Sequence, residues 1–499
     1  MTPPKPAPPE NTEPDNNTHS IAQAMRSGML WNLVGFIFFQ GAGFFIFLIM
    51  AMRLPPEIFG IVALATVFGD IIAIDGRYAC MDAVIQAGKF DKRGLNTSFA
   101  GFMLFTLLFT LSLVAVGFFI GHQPGYELLG TFFPVIGLLL LPVPWLAIMD
   151  ALMMRDLEFK QLTQRSILST FVGGIAGIAV AFSPWLVWAL IVQRVVALLT
   201  AAIFEYQHTR WFPGSNIEWI NVFPFLKRFF PLWIISSLNQ IAPRATVIVF
   251  GVRYDTATVG LLRAANRIGE TLQGPIVSPM MGLWFPLMSK ARQNKAEERE
   301  IYTSIIRTAA FLALPAFAGM SIVAPDLVAL FLPESYEGVG PLLQAISVVS
   351  LMIPIAWFNA IAMASLDMNR PSLTFTIVNV AICVGTLIAL TNVSPAVAVV
   401  GMSAPSFFLS FIGNAIIHRR IELPAREHYL GLFPAVSATL IMVLTVYGFY
   451  TLAATWSPAL RVALSVLIGA PVYLGWIFIL HRRWLIERLD LVRNRNKNG

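Results

Sequence analysis

Long apolar runs separated by short polar stretches dominate this chain. After about twenty polar residues, apolar runs occupy 29–52, 58–79, 99–120, 128–153, 167–182 and 185–204. A polar stretch at 206–221 interrupts them. Further runs follow at 229–252, 256–280, 305–323, 342–365, 373–390, 397–417, 429–452 and 462–480. Most are near the length of about 20 residues that an apolar helix needs to cross a bilayer. The pattern predicts fourteen transmembrane helices with short connections. The second and eighth are the most polar.

Composition agrees with the pattern. The chain is 57% hydrophobic and only 12% charged, with a mean hydropathy of +0.72. An ordinary soluble enzyme could not hide that much apolar surface, and disorder needs the opposite balance. The expected fold class is an all-α polytopic membrane protein. It has two pseudo-symmetric six-helix bundles plus two C-terminal helices. The expected divisions are a disordered cytoplasmic tail at 1–24, an N-terminal six-helix bundle at 25–221, a C-terminal six-helix bundle at 222–428, two additional helices at 429–481 and a basic cytoplasmic tail at 482–499. The first twenty residues are rich in Pro, Asn and Thr and lack the early basic region of a signal peptide.

The net charge of +7 would suggest nucleic acid in a soluble chain. Here it reads as an orientation signal, and no nucleic acid is expected. With the N-terminus inside, twenty-five of the 34 lysines and arginines fall on inside segments and three on outside loops, Arg53, Arg253 and Arg461. That bias places both termini in the cytoplasm. The two cysteines, Cys80 and Cys383, read as small buried hydrophobes rather than a disulfide.

The chain also resembles itself. Gln40, Arg53, Gly60, Ala65 and Asp70 align with Gln240, Arg253, Gly260, Ala265 and Glu270 at a constant spacing, and the segment from Pro142 to Trp145 aligns with that from Pro354 to Trp357. The repeat unit is six helices. Such repeats mark transporters whose substrate lies between two bundles.

A charge in the hydrocarbon core costs about 2.5 to 3.5 kcal/mol on insertion scales, so intramembrane charges are functional candidates. Arg263, Arg267 and Glu270 share a face of the eighth helix. Gln240 and Arg244 pair on the seventh, with Pro243 as the expected kink. The counterparts of Arg244, Arg263 and Arg267 in the first half are Phe44, Ala63 and Val67, so the second bundle is expected to supply the cations. Arg244, Arg263, Arg267, Arg194, Gln40 and Gln240 are the candidate substrate-binding residues, because guanidinium forks bind oxyanions bidentately. Two bland alternatives stand beside this reading. The Arg263, Arg267 and Glu270 trio can neutralise itself, and Arg194 can bond backbone carbonyls instead of a substrate. Asp70, Glu270, Asp75, Arg77 and Asp150 are candidates for ion coupling or gating. Asp75, Arg77 and Asp150 lie near cytoplasmic helix ends and read as a gate or as solvated ends. Pro275 and Pro279 are expected to break the eighth helix. Gly173 and Gly177 suit close helix packing, and the sequons at Asn96 and Asn392 are weak matches. No catalytic or nucleotide-binding motif is present, and the six histidines lack metal-ligand spacing.

The segment Leu54-Pro55-Pro56-Glu57-Ile58-Phe59-Gly60 resembles the LxPxxFG turn of Wzx-type polysaccharide (O-antigen) flippases. Asp75-Gly76, Ala83-Val84-Ile85-Gln86 and the R-x-L-x-F segment from Arg155 to Lys160 also resemble that family, in its exopolysaccharide and lipopolysaccharide branch. The resemblance spans roughly residues 25 to 480. It implies the superfamily of multidrug and toxin exporters and lipid II flippases, with two bundles in a V and a lipid groove beside the extra helices. It further implies flipping of an undecaprenyl-pyrophosphate-linked oligosaccharide across a bacterial inner membrane by alternating access. The implied partners are that glycan, membrane lipid, a polymerase and a chain-length regulator. No cofactor and no enzyme activity are implied, and H+ or Na+ are the coupling ions open to it. No arginine lies between Met29 and Met52, unlike lipid II flippases. An exporter of cationic drugs is a weaker reading, because its site would avoid arginine. A membrane polymerase is weaker still, because the longest outside connection, 324–341, is short.

Overall fold

The computed structural model describes residues 35 and 38–480, apart from 89, 239, 292–293 and 391–392. The expected tails at 1–24 and 482–499, the start of the first apolar run and the Asn392 sequon lie outside the described residues. Among the described residues every regular element is helical. In chain order, with broken helices under one label, they are α1 (Phe38–Ala51), α2 (Pro56–Ala87), α3 (Lys92–Gly121), α4 (Glu127–Arg155), α5 (Phe159–Ala181) and α6 (Leu186–Thr209). Then come α7 (Trp219–Leu238 and Ile241–Arg253), α8 (Thr256–Ala291) and α9 (Lys295–Phe331). The last are α10 (Val339–Ser350 and Ile353–Ser365), α11 (Asn369–Ala389), α12 (Pro395–Ile421), α13 (Ala425–Leu452) and α14 (Pro458–Leu480).

Ten of these helices are long and apolar enough to cross a membrane, and eleven if the bent α10 counts as one span. The chain is an all-α, multi-pass membrane protein. The expected fourteen would also need α1, α7 and α8 to cross. The described part of α1 is short, α7 is broken in two, and α8 carries Arg263, Arg267 and Glu270. Large apolar side chains cover the outer surface, among them Leu452 at 87% exposure, Ile479 at 77% and Phe119 at 72%. Water would penalise such a surface and lipid does not.

Helix ends follow local chemistry. Asn294 caps α9 by accepting from the backbone N–H groups of Ala296 and Glu297, and Ser394 caps α12 through Val397. Gly88 ends α2 at φ +64°, a conformation that favours glycine. Two expected breaks move. Pro275, Pro279 and Pro286 all lie inside a continuous α8. Membrane helices tolerate such prolines where neighbouring helices re-satisfy the freed carbonyls. In α7 the two helical pieces end at Leu238 and resume at Ile241, so Pro243 is not the kink. Proline in a first turn needs no N–H partner, so Pro243 starts the new helix instead of bending an old one. The matched prolines of the internal repeat do share a role. Pro142 sits at the break within α4, and Pro354 in a π-helical turn at the 53° bend of α10.

Packing divides at the break in α7. Its first half contributes Phe225 and Phe229 to the apolar core of α2–α6. Trp233 there donates to the Ile71 carbonyl (3.2 Å), where α2 takes a π-helical turn at Ile71–Gly76. The second half of α7 packs with α8 and α10. The change of partner therefore falls within α7. A third core fills the inner half of the second bundle. The last two helices lean on α9, through Ala438, Met442, Val446, Tyr473 and Ile477 against Ala318.

Candidate functional site

The two bundles meet at their outer ends, the ends expected to face away from the cytoplasm. Helices α2 and α8 cross there at Gly60 and Gly260. A Cβ on Gly60 would overlap the Thr256 carbonyl, and one on Gly260 would overlap the Pro56 carbonyl. Two positions matched by the internal repeat thus touch each other across the pseudo-symmetry axis. Around them Phe47, Phe59 and Tyr336 stack edge to face, and the Tyr336 hydroxyl donates to the Leu54 carbonyl at 2.8 Å. The outer end is sealed.

Inward of the seal lies a cavity of about 450 Å³ between the bundles. Its cations are Arg194 of α6 with Arg263 and Arg267 of α8, and Glu270 is its acid. At a rise of about 1.5 Å per residue, Arg267 sits about 10 Å inward of Gly260 along α8. Arg267 presses on α1 at Gly43, where any side chain would strike its guanidinium. Gln40 on the same helix donates to the Glu270 carbonyl at 3.1 Å. Arg194 holds Asp70 at 2.9 Å. Arg267 and Glu270 are 4.0 Å apart, the loose limit of an ion pair. Arg263 forms no ion pair among the described residues, although Asp70, Arg194 and Glu270 all act on it electrostatically. Self-neutralisation is therefore incomplete, and the cavity keeps a net positive charge.

A second cavity, of about 410 Å³, enters the first bundle. It shares Phe39, Thr170, Arg194 and Ala197 with the first. Its inner wall is a four-charge staple. Arg77 of α2 donates to Asp150 of α4 at 2.5 Å and to Glu205 of α6 at 2.7 Å. Arg165 of α5 donates to Glu205 at 2.5 Å and also pairs with Asp150. Two arginines and two acids balance, as buried charges must.

Asp75 and Asp150 are not solvated helix ends but are 2% and 6% exposed, because each has a guanidinium partner. Arg244 faces Asp75 at 2.6 Å, joining α7 to α2, and does not line either cavity described above. Gln240 is exposed at the α7 break and is likewise outside both. Arg194 bonds a carboxylate rather than backbone carbonyls. The first bundle does supply cations, Arg77, Arg165 and Arg194. These arginines are not at positions matched by the internal repeat. Glu205 and Arg165 escaped notice because both sit at span ends, where charge usually means solvent. One signal could have found them: equal numbers of opposite charges near the inner ends of neighbouring helices α2, α4, α5 and α6.

Other features find structural roles. Gly173 and Gly177 lie against α6. Asn96 is buried and bonds Gly214 and Asn216. Both cysteines are free and buried. His418 and His428 meet at 4.8 Å between ring centroids. Among the described residues no group of three His, Cys, Asp or Glu side chains could hold a metal ion.

A family model described as "Polysaccharide biosynthesis protein" matches residues 49–341. The succinoglycan biosynthesis transport protein ExoT of Rhizobium meliloti (strain 1021) is 23% identical over 57% of this chain and 58% of its own length. The match thus spans less than two thirds of that relative. The lipopolysaccharide biosynthesis protein WzxC of Escherichia coli (strain K12) is 20% identical over 67% of this chain and 68% of its own. Among solved structures, the lipid II flippase MurJ in an inward closed conformation superposes with a TM-score of 0.69. It shares 15% identity, over 92% of this chain and 100% of that one. An inward-facing multidrug resistance transporter of the MATE family gives a TM-score of 0.55 at 16% identity, over 79% and 94%. At such identities these two similarities show a shared fold.

Proposed function

The chain belongs to the polysaccharide biosynthesis protein family, whose model it matches over more than half its length, and from that premise we propose that it is a flippase for lipid-linked oligosaccharides. Its cargo is an undecaprenyl-pyrophosphate-linked repeat unit for exopolysaccharide or lipopolysaccharide. It carries this from the inner to the outer leaflet of a bacterial inner membrane by alternating access, with both termini in the cytoplasm. It is a transporter and not a transferase. A polymerase and a chain-length regulator act on what it delivers.

One observation carries this reading. A cavity with surplus guanidinium charge lies between two bundles that are sealed at the outer end. A diphosphate taken from the inner leaflet would find Arg263 unpaired and Arg267 weakly held. Both are planar forks that remain charged when water leaves. Lipid tails need no cavity, since the bundle surface is already apolar. Opening outward then has to break the Gly60–Gly260 crossing. The pair that joins the bundles farther in, Asp75 with Arg244 at 2.6 Å, is assigned the inner gate: it parts to admit cargo from the inner leaflet and is closed in this structure. Asp70 and Glu270, which neighbour the arginines, are the acids assigned to ion coupling.

The Arg263→Ala, Arg267→Ala double variant should lose most surface polysaccharide display while membrane levels hold. Wild-type display in that variant would overturn the cavity assignment. Lysine at either position should do less damage, since it keeps charge without the fork. For the gate, Asp75→Arg and Arg244→Asp should each lower display, and combining them should recover part of it. No recovery would remove the gate.

A further inference from the structure

The two adjoining cavities differ in charge balance, and the difference divides the labour within one substrate. We propose that the chamber inside the first bundle receives the neutral sugar next to the diphosphate, while the arginines between the bundles hold the diphosphate itself. This rests on the flippase reading above and makes it specific.

The chamber's charges are all answered. Arg77 and Arg165 face Asp150 and Glu205, and Arg194 faces Asp70. The interior therefore offers no surplus charge for a second anion. It does offer donors. A guanidinium carries five N–H groups, and Arg77 spends two of them on its acids. The acids sit behind the arginines, with Asp150 at 8% side-chain exposure and Glu205 at 0%, against 17% and 18% for Arg77 and Arg165. The arginines line the chamber and the two acids do not. Ser166, Ser169 and Thr170 line the same space. Their spacing puts all three on one face of α5, where Ser166 and Ser169 donate to the Leu162 and Ser166 carbonyls and keep oxygen lone pairs as acceptors. Apolar side chains, including Ile74 and Leu140, line the rest of the space. Spare guanidinium donors and hydroxyl oxygens beside apolar surface suit a ring that has hydroxyl edges and C–H faces. The volume lies within the range of about 300–1,000 Å³ typical of small-molecule sites. Arg194 belongs to both cavities, so a sugar in the chamber would have its anomeric phosphate beside the cationic site.

The test measures binding to the full chain in nanodiscs. Two probes are used, farnesyl diphosphate and the same diphosphate carrying one neutral hexose. The wild type should bind the hexose-bearing probe more tightly. Ser169→Phe fills the chamber from α5 and Ala73→Phe fills it from α2, without touching a charge. Either should weaken the hexose-bearing probe about tenfold or more while leaving the sugar-free probe within about twofold. Replacing the hexose by a hexuronate should bring no gain, because the arginines are already neutralised. Wild-type protein that binds neither probe would overturn both the flippase reading and the chamber. Wild-type protein that binds both equally would overturn the chamber alone. So would a gain for the uronate, or equal losses for the two probes in whichever filled variant folds.

Discussion

The inner halves of the two bundles are built on one plan and held by different chemistry. In the first, four charges tie α2, α4, α5 and α6 together: Arg77, Asp150, Arg165 and Glu205. In the second, neutral groups join the corresponding α8, α10 and α12 to α9, and the ion pairs there, Arg420 with Glu298 at 3.6 Å and Arg299 with Glu427, use half-exposed arginines at the inner edge. Trp284 donates to Ser365 at 3.0 Å and stacks on Phe358 at 5.2 Å. Tyr302 donates to Asn414 at 3.3 Å, and Asn414 donates to the Ile355 carbonyl. Where the first bundle has a chamber walled by guanidinium, the second has a fully buried tryptophan. Desolvating charge is expensive, and replacing a buried ion pair by apolar packing often costs nothing. A bundle that needed only to be rigid would do as the second does. The charged staple is therefore the half of the comparison with a second task, presenting donors to a space.

The largest effect should come from unbalancing that staple. Glu205→Leu leaves two arginines sharing Asp150. Removing one partner of a buried pair costs about 3–5 kcal/mol, so the thermal midpoint in detergent should fall sharply. Adding Arg165→Leu restores one arginine to one acid and should recover much of the loss. If the double variant is no better than the single, charge balance is not what holds the inner ends together.

The outer ends offer the opposite case, because there the two bundles are alike. Gly60 and Gly260 are matched in sequence and meet in space. Gly60→Ala and Gly260→Ala should each cost about 1–3 kcal/mol by overpacking, and nearly the same amount as each other. Each should also loosen the seal, read as faster labelling of an added Val62→Cys by a membrane-impermeant maleimide. Unequal costs, or unchanged labelling, would break the symmetry that the crossing implies.

That crossing shows how much could be read in advance. The repeat that aligns Gly60 with Gly260 and Pro142 with Pro354 is visible because small residues and prolines are set by close approach and by bends, which are local demands. The Arg263, Arg267 and Glu270 stripe is visible because helical spacing puts it on one face. The staple was not. Its members come from four helices, and a charge at a span end carries no mark of whether water or a guanidinium waits beside it. The π-helical turns at Ile71–Gly76 and Ile353–Trp357 leave no composition signal either.

The smallest effect should come from the neutral side, and it is the sharpest check on the comparison. Tyr302→Phe removes one hydroxyl whose partner, Asn414, keeps its bond to the Ile355 carbonyl. A net hydrogen bond is worth about 0.5–1.5 kcal/mol, and the phenylalanine ring preserves the edge contact with Trp284 at 6.1 Å. The loss in thermal stability should be a fraction of that for Glu205→Leu. The Asn414 oxygen left behind is buried, which pushes the cost toward the upper end of the range. The apolar stack of Trp284 on Phe358 remains to hold the inner end, which the staple's neighbours cannot do around two arginines that share one acid. If Tyr302→Phe were as damaging as Glu205→Leu, the second bundle would depend on its polar network as heavily as the first depends on its charges. The staple's cost would then be ordinary structural cost, and the case for a second task would have to rest on the chamber alone.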